Sequence, residues 1–374
     1  MNKKNVIIIM IDGGRYDRSE YPLFKNLKSR SLYFKNSITY GPHTIAAMHA
    51  VFSGSYGSRT GTNSYWSTYK FKKNEFKTLT EYLKSSNYYT HADVINQLVV
   101  PKQGFDQFII HDELNDDLIE RHKILLDQMS IKNKENMNFF LYLHYSKIHT
   151  GIMNEVLKVY DNFSNDFFSN SEKNIERYDK LFEDAQSYLD SILEKISELK
   201  LDKNSLVLIM SDHGISTGEK IGERAYGAFC YDYTLKTLTY FLMPDYESKV
   251  IEQQVRTIDF LPTILDYLNI SLDTKYQNLD GVSLLPLVIG SGYPELPAFS
   301  ETGNPLHEKA PPKEPNTKSI RTSNWKLIFN EHDSSKELYN LQLDPDETNN
   351  LIGTGEKIEE VLWIELQNLI NTHD

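Results

Sequence analysis

Two runs, Val6-Ile7-Ile8-Ile9-Met10-Ile11 and Leu206-Val207-Leu208-Ile209-Met210, are apolar without interruption, and each ends on an acid. The first closes on Asp12-Gly13, the second on Ser211-Asp212-His213-Gly214. A strand with one wet face alternates; a strand buried on both faces does not. The chain is therefore expected to be α/β, with a mostly parallel central sheet sandwiched by helices. Ligands of open α/β sheets bind beyond the carboxyl ends of the strands. An Asp-Gly pair at one strand end reads equally well as a turn. Two such ends, one with an adjoining histidine, bring Asp12, Asp212 and His213 together as ligands for a divalent cation.

The rest of the chain supports that architecture. Helical spacing around Leu23–Leu32, Ile45–Phe52 and Leu79–Leu83 alternates with strand-like stretches near Tyr88–Ala92, Phe139–Leu143 and Tyr240–Met243. Leu181, Ala185, Leu189, Ile192, Leu193, Ile196 and Leu199 form one face of an amphipathic helix. After Pro294 the pattern changes to short strands (319–329, 337–341) and a closing amphipathic helix through Leu362 and Leu366. This divides the chain into a catalytic domain, residues 1–292, and a small C-terminal α+β subdomain, residues 293–374, with antiparallel strands. Glu301 is a candidate for joining the two. Segments 151–170 and 310–318 are candidate specificity loops, the first a lid or a surface insertion.

Several function classes are excluded. A net charge of −12 argues against nucleic-acid binding and against anionic membranes. No stretch reaches transmembrane length and the N-terminal apolar run is too short for a signal peptide, so no membrane anchor is expected and the location is read as cytoplasmic. The single cysteine, Cys230, allows neither an intrachain disulfide nor a cysteine zinc site. Oligomeric state is left open.

Thr44 follows Gly41-Pro42-His43 and opens a helix. It reads as an N-cap, but a hydroxyl at a helix N-terminus beside a metal also has the makings of a nucleophile toward phosphorus or sulfur. Two carboxylates cancel one divalent ion, so a small anionic ester substrate needs further positive groups. Arg15, Arg59, Lys102 and Arg224 are the candidates, with Arg59 and Lys102 assigned to substrate binding.

Taken together, these residues resemble the sulfatases of the alkaline phosphatase superfamily. Asp12-Gly-Gly-Arg15-Tyr-Asp17 is similar to the family's first-strand signature. Thr44 to Gly61 is similar to its nucleophile helix, Gly104-Phe105-Asp106 to its Gly-Phe-Asp segment, and Ser211 to Gly214 to its late metal strand. Asp259-Phe-Leu-Pro262-Thr263, Asp280-Gly281 and Glu337-Leu-Tyr339 fit the closing segments. The resemblance implies Thr44 as nucleophile, and Asp12, Asp212, His213 and Thr44 around one metal. Mixed Asp/His ligands favour zinc or manganese, with calcium the weaker fit. A second metal is not expected, because Tyr145 and Tyr226 stand where its ligands would be. His149 is then expected to contact substrate oxygen or protonate the leaving group, Tyr226 to donate to the bound anion, and His49 to be structural.

One departure sets the expected chemistry. The family's Cys/Ser-x-Pro-x-Arg stretch is Thr44-Ile45-Ala46-Ala47-Met48 here, and threonine cannot be oxidised to formylglycine. The expected function is accordingly a metal-dependent hydrolase of phosphodiester, phosphomonoester or phosphonate bonds. A sulfuric ester hydrolase is the enzymatic alternative, transfer to an acceptor alcohol a variant, and a degenerate anion-binding protein the alternative from another class.

Overall fold

The computed structural model describes residues 4–161, 164–306, 308 and 310–373. Residues 1–3 lie outside them, as do positions 162 and 163 of the 151–170 segment. The main sheet has eight strands in the order Lys249–Ile251, Leu32–Phe34, Thr239–Leu242, Ser205–Ser211, Asn5–Ile11, Phe139–Tyr145, Tyr89–Val94 and Gln107–Ile110. Asn5–Ile11 pairs in parallel with both Ser205–Ser211 and Phe139–Tyr145. Thr239–Leu242 runs antiparallel to both of its neighbours.

All seven residues of Asn5–Ile11 are buried. Alternate residues feed two separate cores. Ile7, Ile9 and Ile11 pack with Phe182, Leu189 and Ile192 of the long helix Ser171–Glu198. Val6, Ile8 and Met10 pack with Val51 and Phe52 of the helix Thr44–Ser53 and with Phe260 and Ile264 of the helix Phe260–Tyr267. Each such side chain contributes roughly 1.5–3 kcal/mol of burial. This is why the sequence does not alternate: both faces are interior.

The mostly parallel, helix-covered sheet and the antiparallel C-terminal sheet agree with expectation. The latter has four strands, Ala298–Thr302, Thr317–Arg321, Trp325–Asn330 and Ser335–Asn340, covered by the helix Ile358–His373. The single stretch read at 319–329 is two strands, because Thr322 to Asn324 form a turn: the Thr322 N–H donates to the Trp325 carbonyl at 2.8 Å. Edge strands Gln107–Ile110 and Lys249–Ile251 escaped the pattern because they are short and partly exposed.

Polar contacts tie the C-terminal sheet to the rest of the chain. Arg321 and Lys326 both reach Asp232, at 2.8 and 2.7 Å. The Thr302 hydroxyl donates to the Gly227 carbonyl at 2.5 Å, and buried Glu301 accepts from Tyr40. In the 151–170 segment, Ile152, Val156 and Phe167 are buried against the long-helix core. Among the described residues no helix is long and apolar enough to cross a membrane.

Candidate active site

Register creates the site. Ile11 lies opposite Ser211 in the parallel pair Asn5–Ile11/Ser205–Ser211, so the next residues, Asp12 and Asp212, leave the sheet side by side. Gly13 then turns with φ +74°, a conformation L side chains rarely adopt. Its N–H donates to Asp212 Oδ1 at 3.1 Å, and the His213 N–H donates to the same oxygen at 2.9 Å.

The helix start is arranged differently from expectation. His43, not Thr44, is the N-cap: its ring nitrogen accepts from the Ala46 N–H. Burial, with help from the nearby His213, pushes His43 down to about 3, so it stays a neutral acceptor. Its ring stacks on Tyr65 at 4.1 Å. Thr44 is thereby free for other work. Its hydroxyl is 3.4 Å from Asp12 Oδ2 and 3.5 Å from His213 Nε2, with the residue 8% exposed.

The ligand atoms of Asp12, Asp212 and His213 lie within 4.8 Å of one another. His213 Nδ1 is 2.8 Å from the Gly214 carbonyl, which assigns the proton to Nδ1 and leaves the Nε2 lone pair facing the acids. Asp12 Oδ1 and Asp212 Oδ2 are buried with no hydrogen-bond donor. Burying charged oxygens without partners is expensive, and a divalent cation answers both at once. The residues fit such an ion: two carboxylate oxygens and one imidazole nitrogen are a donor set for zinc or manganese.

The electrostatics follow the same geometry. Burial raises Asp212, and the charge of Asp12 raises it further. Burial also pushes Asp12 up, but His149, His144 and His213 crowd around it and hold it well below the usual carboxylate range.

His144 was not singled out from the sequence, yet its Nε2 lies 3.0 Å from Asp12 Oδ2. Its strand register, opposite Met10, puts it there. His149 comes in on the helix Lys147–Ile152, with Nδ1 3.7 Å from Asp12 Oδ1 and 3.1 Å from the Tyr226 hydroxyl. The Tyr226 ring packs on His213 at 4.7 Å. Tyr145 turns to the opposite side of the sheet and stacks on Tyr188. His49 is buried on the Thr44 helix and bonded to the Leu98 carbonyl.

Two residues expected to bind substrate have other partners. Arg59 is paired with Asp280 at 2.6 Å, donates to the Asn278 carbonyl and covers Phe76, so its charge fastens a loop and does not serve the site. Lys102 is exposed and lies over Phe108 of the edge strand. Arg15 is likewise used internally, by Asp17, Glu219 and the Ile215 carbonyl. Arg224 remains: it lines a cleft of about 430 Å³ with Tyr65, Trp66, Tyr226 and Pro311, directly beside the histidines, and its Nε has no partner.

The chain is similar to several known proteins. Residues 4–270 match the sulfatase family model, and residues 227–372 match the model of the N-sulphoglucosamine sulphohydrolase C-terminal region. Arylsulfatase K of Mus musculus is 28% identical over 224 residues, 56% of this chain and 38% of that protein. Choline-sulfatase of Rhizobium meliloti is 26% identical over 190 residues, 49% of this chain and 35% of that protein. The chain thus matches well under half the length of either relative. Among solved structures, a protein bound to its substrate D-glucosamine-2-N,6-O-disulfate superposes with a TM-score of 0.74 at 16% identity, covering 99% of this chain and 98% of that one. The phosphonate monoester hydrolase of Agrobacterium radiobacter superposes with a TM-score of 0.76 at 14% identity, covering 100% and 96%. At these identities the likeness is one of fold.

Proposed function

The chain belongs to the sulfatase family, and from that premise we propose that it hydrolyses sulfate esters, with Thr44 as nucleophile and Asp12, Asp212 and His213 as the seat of one divalent cation. This reverses the order drawn from the sequence, where the loss of an aldehyde-forming residue put phosphorus first. Support for sulfate comes from the matched family model and from the named activities of the curated relatives. The observation that carries the reading is the Thr44 hydroxyl, 3.4 and 3.5 Å from Asp12 and His213, beside two carboxylate oxygens without donors.

The bound cation would supply positive charge at the attacked centre and acidify a neighbouring hydroxyl. The chain's own residues do the rest. Asp12 Oδ2 receives the Thr44 proton, held in place by His144. The Thr44 oxygen–sulfur bond forms as the sulfur–leaving-oxygen bond breaks. His149, fixed through Tyr226, gives its proton to the departing alkoxide. Water then attacks sulfur as the Thr44 oxygen–sulfur bond breaks; His149 takes the water proton, sulfate leaves, and the freed threonine oxygen is reprotonated from Asp12.

Phosphorus esters are the second reading, favoured by the threonine itself and by the phosphonate monoester hydrolase fold neighbour. Parallel assays with 4-nitrophenyl sulfate, 4-nitrophenyl phosphate, a bis(4-nitrophenyl) phosphodiester and a phenylphosphonate ester, each with added zinc or manganese, decide between them. Sulfate turnover above every phosphorus ester is expected; the reverse order establishes the second reading. Failure of all four, together with no retained metal, leaves a non-catalytic anion binder.

A further inference from the structure

A second acid–histidine cluster lies in the same sheet, outside the machinery just described. Asp93 is the penultimate residue of the strand Tyr89–Val94, His111 follows the strand Gln107–Ile110, and His122 sits on the helix Leu118–Lys134 that comes next. All three side chains are fully buried, and one ligand atom from each lies within 4.8 Å of the others. We propose that Asp93, His111 and His122 form a second, previously unassigned divalent-metal site, suited to zinc, through Asp93 Oδ1, His111 Nδ1 and His122 Nε2. It does not depend on the reading of the Thr44 site.

Two independent observations point there. The first is an orphan: His122 Nε2 is buried without a hydrogen-bond partner and faces Asp93 Oδ1 at 3.7 Å. The second is the outer ring of contacts. Metal-binding histidines usually give their other nitrogen to a fixed partner, which orients the ring and selects the tautomer. Here His122 Nδ1 is 2.6 Å from the Tyr188 hydroxyl, and His111 Nε2 is 2.9 Å from Ser146 Oγ. The remaining Asp93 oxygen is held by Arg121. Each proposed ligand thus presents one atom inward and has the other one tied.

His111 Nδ1 lies 2.5 Å from Asp93 Oδ1. On binding, the ring hydrogen passes from Nδ1 to Nε2, which donates to Ser146, and Nδ1 binds metal. Arg121 weakens Asp93 as a ligand, but Asp116 meets Arg121 at 3.4 Å. Asp93, Asp116 and Arg121 sum to one negative charge, which a divalent ion more than offsets. Two imidazoles and one carboxylate leave a place for water in a four-coordinate site.

Elemental analysis of the full chain, loaded with zinc and then passed through a desalting column, tests this. One fewer equivalent of zinc is expected in His122→Gln than in the wild type. The pair variant Asp12→Asn with Asp212→Asn should keep one equivalent. Equal zinc in the wild type and His122→Gln overturns the proposal. Should His122→Gln fail to fold, the pair variant decides alone, since its cluster is intact: cobalt loading should give a visible d–d absorption band, and a colourless, metal-free protein overturns the site.

Discussion

Two buried groups of Asp and His occupy one sheet and differ in their wiring. At Asp12, Asp212 and His213 the acids face each other, and each keeps an oxygen without a donor. At Asp93, His111 and His122 the single acid has both oxygens answered, one by His111 and one by Arg121. The first arrangement lies beside a cleft and carries a hydroxyl; the second is closed. The same residue types therefore store electrostatic stress in one place and relieve it in the other. The proposed chemistry falls to the unrelieved site, as expected where strain and like charge are concentrated.

The largest effect that would sharpen this contrast is on turnover. Thr44→Ala should lower kcat on the order of 10⁴-fold or more, with the melting temperature nearly unchanged; steady-state assay and thermal unfolding measure both. Surviving activity would move the nucleophile elsewhere. Asp93→Asn should cost about 2–4 kcal/mol of stability in the metal-free protein, because it removes a charge that Arg121 and two histidines are built around. Urea unfolding would show it. Asp212→Asn should do the opposite in the metal-free protein, adding about 1 kcal/mol by removing like-charge repulsion, while abolishing turnover.

The acid response separates the clusters further. Asp93 is held below the usual range, as His111 and His122 outweigh its burial, so its contribution is present above the unfolded carboxylate value, near 4, and is lost as pH falls below that. Asp212 is raised, so its ionisation weakens the metal-free fold as pH climbs above the unfolded value. Metal-free unfolding in urea at pH 4 and at pH 7 should therefore show Asp212→Asn gaining more at pH 7 than at pH 4 relative to the wild type. An equal gain at both would break the comparison. Smallest of all, Lys102→Ala should change stability by less than about 0.5 kcal/mol and kcat/KM by less than about twofold, because its charge stands over Phe108 in solvent.

What the sequence revealed tracks how local the information is. The ends of the apolar strands were readable because a doubly buried strand leaves a continuous run, and the acids sit at its end. His144 was hidden because its importance comes from lying opposite Met10, a pairing no local pattern encodes. Arg59 was hard to place because it follows the Thr44 helix in sequence while its partner, Asp280, is 221 positions away. The cap moved from Thr44 to His43 because a buried imidazole held neutral serves as acceptor, a role the usual cap preferences leave out. Asp93, His111 and His122 went unnoticed because each stands alone along the chain, and only the sheet order brings them together.

The bonds from Arg321 and Lys326 to Asp232, and from Thr302 to Gly227, have a bearing on how the chain can be divided. Gly227 follows Tyr226 directly, so the smaller sheet anchors the very stretch that meets His149 and His213. A fragment ending at 292 would strand Asp232 without its cations and unmoor the aromatic wall of the cleft. Swapping in a foreign C-terminal module would amount to re-tooling the cleft itself.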